Sequence, residues 1–77
     1  MTPRLPRITS REVIGVMLKR GFLLSRSTGS HHIYKDRKGT RITVPVHAGK
    51  IIRPKTQSRI LKDMDLGGHE LIKLLNE

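Results

Sequence analysis

A chain of 77 residues with a 35% hydrophobic fraction suffices for one small domain and leaves no room for a second core. The lack of cysteine excludes disulfides and thiolate metal sites, and no apolar run approaches the roughly 20 residues that span a bilayer. With 16 Lys and Arg against 6 Asp and Glu, the net charge of +10 suits a polyanionic partner, nucleic acid before acidic protein or anionic membrane.

Residues 1–8 hold Pro3 and Pro6 and no periodic pattern, so they read as a loose basic arm with no secretory signal, and a cytoplasmic setting is expected. Thr9-Ser10-Arg11-Glu12 fits a capping box. Val13, Met17 and Leu18, widened by Ile14 and Val16, predict a helix over 10–20 that stops at Gly21. A short apolar run, Phe22-Leu23-Leu24, precedes turn chemistry at Ser27-Thr28-Gly29-Ser30. His31-His32-Ile33-Tyr34-Lys35 reads as a strand, and Asp36-Arg37-Lys38-Gly39 as a hairpin loop with Gly39 free to take positive φ. Arg41 to Val46 alternates and is β-branched, with Ile42, Val44 and Val46 toward the core. Pro45 cannot donate to a ladder, so this strand is an edge or stops pairing there. Pro54 opens a second helix with Ile60, Leu61 and Met64 buried, Gly67-Gly68 ends it, and Leu71, Ile72, Leu74 and Leu75 form a last short helix. The expected fold class is α+β: a helix, a three-stranded antiparallel sheet, then helices, in a single domain over 1–77 with 67–77 as a helical extension. Such a sheet is covered on one face and open on the other.

The charge is unevenly spread. Between Lys19 and Lys62 the acidic side chains reduce to Asp36, whereas Lys and Arg recur throughout. A surface built only for solubility mixes the signs. An open, basic sheet face is a natural place for RNA.

Four histidines stand at 31, 32, 47 and 69. No HxxxH or comparable ligand spacing accompanies them, so no metal or other cofactor is expected. His69 sits at a helix start, where a capping role is enough. His47, in a loop after the best strand, fits either a phosphate contact or a second acid/base group. His31 and His32 follow Gly29-Ser30 and, by strand alternation, point to opposite faces, which periodicity alone does not assign. RNA cleavage needs a group that takes the 2′-hydroxyl proton and one that protonates the leaving 5′-oxygen. Nearby cations stabilise the phosphoryl charge that develops. Histidine with lysine and arginine is a sufficient kit without metal, and Gly29, Ser30, Lys35, Arg41 and Lys50 are candidate RNA contacts. No P-loop or GxGxxG is present, and aromatics at 3% argue against base-stacking modules. A helix-turn-helix is disfavoured by Gly67-Gly68 and by a last helix whose one basic residue is Lys73.

Taken together, Leu18-Lys19-Arg20-Gly21-Phe22, Gly29-Ser30-His31-His32-Ile33-Tyr34, Arg41 to Lys50 with its Val44-Pro45-Val46-His47 segment, and Ile60-Leu61-Lys62 resemble the HicA toxin family over roughly residues 10–66. The resemblance implies a fold like a double-stranded-RNA-binding domain and a metal-independent endoribonuclease that cleaves mRNA and halts growth. It also implies His31 as the catalytic residue, Tyr34 facing the core, and a HicB-type antitoxin as partner. A non-catalytic RNA-binding module on the same fold is the alternative.

Overall fold

The computed structural model of the chain describes residues 6–47 and 49–77. Its elements run α1 (Ser10–Lys19), β1 (Leu23–Thr28), β2 (His31–Lys35), β3 (Arg41–Pro45), α2 (Pro54–Asp63) and α3 (Gly68–Leu75). The strands form one antiparallel sheet in the order β1-β2-β3. This is the expected α+β arrangement.

Thr9 caps α1 as its sequence requires. Its hydroxyl accepts the Glu12 amide, and the Glu12 carboxylate accepts the Thr9 amide at 2.9 Å. Val13, Val16 and Met17 are buried, but Leu18 is 49% exposed, because one more residue rotates it past the edge of the apolar stripe. Gly21, at φ +88°, follows the C-cap Arg20. The Gly21 and Phe22 amides turn back to the Leu18 and Met17 carbonyls, and Met17 and Phe22 are both buried. This is a Schellman ending with glycine at its left-handed position.

α2 ends the same way without glycine, which corrects the expectation that Gly67-Gly68 stops it. The helix closes at Asp63, and Asp65 takes the left-handed position at φ +54°. The Asp65 amide bonds the Lys62 carbonyl and the Leu66 amide bonds the Leu61 carbonyl at 2.9 Å, with Leu61 and Leu66 buried. Gly67 and Gly68 instead become the N-cap and first residue of α3. An aspartate at this position bears both left-handed strain and a negative charge at the helix's negative end. Asp65→Gly is therefore expected to stabilise the protein by about 0.5–1 kcal/mol, raising the thermal midpoint by a few degrees. An unchanged or lowered midpoint would show that the Asp65 side chain contributes more than its strain costs.

The core joins the helices to one sheet face. Met17, Ile42, Val44, Ile60 and Leu71 are almost wholly enclosed, and Val46 packs partly against them. Phe22 is buried, whereas Leu23 and Leu24, on the sheet's outer strand, are 69% and 51% exposed. One expectation needs correcting here: the N-terminal segment does not stay wholly loose. Ile8 is 2% exposed, its carbonyl accepts the Ile52 amide at 2.8 Å, and the Pro6 carbonyl accepts from the buried Gln57 amide. Residues 1–5 of the expected arm lie outside the described residues.

Candidate nucleic-acid interface

The site begins with a turn. Thr28 and His31 are cross-strand partners, so only Gly29 and Ser30 lie between β1 and β2. β1 therefore extends through Ser27 and Thr28, which the sequence reading assigns to the turn. Gly29 has φ +55°, and Asp65 is the one non-glycine with positive φ among the described residues. A two-residue loop with positive φ at its first position alone is the type II′ pattern, which matches the twist of the flanking strands. The Ser30 carbonyl accepts the Val46 amide at 2.6 Å, carrying the β2–β3 ladder one step beyond the strands. His31 is thus fixed between Thr28 and Pro45.

Pro45 occupies an edge, as one of its two expected placements required. The Pro45 carbonyl accepts the buried Ser10 hydroxyl at 2.9 Å, and the Thr43 carbonyl accepts the Arg59 guanidinium at 3.2 Å. Both carbonyls therefore point away from β2. The missing Pro45 N–H lies on that outer side, where no ladder partner is needed.

The register assigns the two histidines to faces. Cross-strand partners share a face. His32 pairs with Val44, which is fully buried, and is itself half-buried. Tyr34 pairs with Ile42 on the same core side and is 5% exposed, and burial pushes its phenol above the usual value. His31 lies on the opposite, open face and is exposed.

Three rungs build that open face: Thr28–His31–Pro45, Arg26–Ile33–Thr43 and Leu23–Lys35–Arg41. None carries a carboxylate. Lys35 and Arg41 share the face with His31 but stand four strand positions away, about 13 Å at strand rise. Arg26 is nearer, on the diagonal at about 7–8 Å between Cα atoms. Sequence reasoning missed Arg26, and the reason is a bulge. Leu24 pairs with Tyr34 and Arg26 with Ile33, leaving Ser25 unpaired. In an unbroken register Arg26 would oppose His32 and point to the core side. The extra residue turns its side chain onto the open face.

Lys50 belongs to a different part of the surface. It lines a cleft of about 380 Å³ with Ser10, Pro45, His47, Arg53 and Thr56. An adjoining hollow of about 530 Å³ shares Ser10 and His47 and adds Arg11. The cleft meets the open face at Pro45, the cross-strand neighbour of His31. Gly29, Ser30 and His31 are therefore brought together, Lys35 and Arg41 stand at the far end of the same face, and Lys50 lies around the β3 edge. His69 is exposed and contributes no side-chain cap, since Gly67 is the N-cap of α3. Among the described residues no group of three or more His, Asp or Glu side chains converges to hold a metal ion, and no helix is long and apolar enough to cross a membrane.

Against known proteins, a family model described as HicA toxin of bacterial toxin-antitoxin matches residues 10–66. No curated protein matches the chain.

Proposed function

Because the chain belongs to the HicA toxin family, and so is the toxin of a bacterial toxin–antitoxin module with an antitoxin as partner, we propose that it is an endoribonuclease that cleaves mRNA through His31 without a metal. The observation that carries this reading is the exposed imidazole of His31, held at the end of a carboxylate-free sheet face with Arg26 on the diagonal.

The chemistry follows from those groups. Histidine changes charge close to neutral pH and can both take and give a proton. In the cleavage step the 2′-hydroxyl loses its proton and its oxygen bonds to the adjacent phosphorus. The bond to the 5′-oxygen breaks, and that oxygen takes up a proton. His31 serves one of these two transfers. In this reading the Arg26 guanidinium offsets the charge growing on the non-bridging oxygens. Gly29 and Ser30 hold the turn against the strand, and Lys35 and Arg41 attract the RNA along the face. The antitoxin is of the HicB type and covers this face.

The products distinguish the mechanism. Purified protein should yield 5′-hydroxyl ends with 2′,3′-cyclic or 3′-phosphate ends, survive EDTA, and fail on RNA methylated at the 2′-oxygen of the cut site. Loss of activity with EDTA, its return with magnesium, and 5′-phosphate ends would mean that a metal-activated water attacks, and would end the His31 mechanism. Tight RNA binding with no cleavage under any of these conditions would make the protein an RNA-binding module instead.

A further inference from the structure

We propose that the cleft behind Pro45 holds a backbone phosphate of the same RNA strand, one that flanks the phosphate at His31, and that Lys50 and Arg53 bind it with help from the Thr56 hydroxyl. This rests on RNA being the substrate, and it assigns a second contact region that the open sheet face does not include.

Three observations converge on it. First, the cleft is concave and cationic. Lys50, Arg53 and His47 line it, and no carboxylate is among its walls. Glu12, two residues beyond the lining residue Ser10, is engaged in the Thr9 cap. Among the described residues the one ion pair is Arg20–Glu70, so Lys50 and Arg53 have no carboxylate partner. Like charges gathered in a hollow repel one another and raise the local concentration of an anion. Second, the cleft is continuous with the His31 rung, because Pro45 belongs to both. A strand lying over His31 therefore has the cleft within reach across Pro45. Third, the walls are braced. Ser10 is buried and bonds the Pro45 carbonyl, and Ile52 is buried and bonds Ile8. The exposed cationic side chains thus project from a fixed backbone.

The phosphate in the cleft is not the one that reacts. Lys50 and Arg53 are positioning residues: they set the direction in which the strand crosses His31. Losing them should weaken binding and raise KM, with kcat little altered.

The experiment uses the full chain and a short single-stranded RNA methylated at every 2′-oxygen, which binds without being cut. Affinity is followed by fluorescence anisotropy across a salt titration. Each phosphate neutralised on a single strand contributes about 0.7 to the log–log slope, so Lys50→Gln with Arg53→Gln, which together release one phosphate, should flatten it by about 0.7. Affinity at low salt should fall on the order of tenfold. A matched pair at the hairpin tip, Arg37→Gln with Lys38→Gln, removes the same charge elsewhere and should have a far smaller effect. Thr56→Val, which keeps the charge, should weaken binding severalfold. Equal losses from the cleft pair and the tip pair would overturn the proposal, leaving only long-range attraction. A cleft pair that loses polyglutamate but keeps RNA would overturn it in favour of an acidic protein. Because this readout involves no cleavage, it can fail while His31-dependent cutting stands, and it can succeed if that cutting is absent.

Discussion

His31→Ala should lower RNA cleavage by about 10²–10⁴-fold, the usual contribution of one positioned proton-transfer group. RNA affinity should stay nearly unchanged. The substitution removes an exposed side chain from a strand whose pairing is made by backbone, so folding stability should shift by no more than about 0.5 kcal/mol. Expressed alone in a bacterium, the wild-type chain should arrest growth, and the His31→Ala chain should not. His32→Ala is the internal comparison. His32 shares the core side with Val44, so its loss should act through stability rather than through the chemical step. Wild-type cleavage from His31→Ala, with cleavage lost in a folded His32→Ala, would move the chemistry to the other face of β2.

Leu71→Ala should cost about 2–5 kcal/mol of folding free energy, read as a lower urea midpoint with unchanged slope. Leu71 lies in α3, beyond the segment matched by the family model, yet it is fully enclosed. Removing its branched end leaves a cavity among residues that cannot wholly collapse into it. A chain of this length has roughly 4–12 kcal/mol of total stability, so the loss is a large share of it. Ionic contacts do not replace it. Arg20 and Glu70 are 37% and 46% exposed, and such a pair contributes about 0–1 kcal/mol. Leu23→Ala, at a 69% exposed position, should change stability by less than about 0.5 kcal/mol. If Leu71→Ala proved equally mild, α3 would be an appendage rather than part of the core.

The legible parts of the fold were those whose signals are local. The Thr9–Glu12 box needs three residues of spacing, and β3 announces itself by alternation. Both stand where the sequence puts them. The parts that were not legible depend on what lies across space. Nothing in Leu23-Leu24-Ser25-Arg26 marks the bulge, because it is settled by pairing with β2, and without it Arg26 cannot be assigned to a face. The left-handed residue of α2 was hidden because Asp65 tolerates it and the two glycines nearby look better suited. Ile8 looked like part of an arm because the strand-like contact it makes is with Ile52, far along the chain. The candidate site divides likewise. Gly29-Ser30-His31 is contiguous and could be read directly, whereas Arg53 gains its place only when the loop after β3 folds against the start of α1.

The strand order has a consequence for assembly. Each strand pairs with the one just before or after it through a short turn, and closing a short loop costs little chain entropy. Local pairings of this kind shorten the search and speed folding. The bridge between Thr9 and Ile51 instead joins positions 42 apart (51 − 9), and it closes the region that contains the cleft. The two halves of the proposed RNA surface therefore differ in when they come into being on the folding route. The turn that presents His31 forms within a local hairpin, and the cationic hollow exists only after Thr9 has met Ile51.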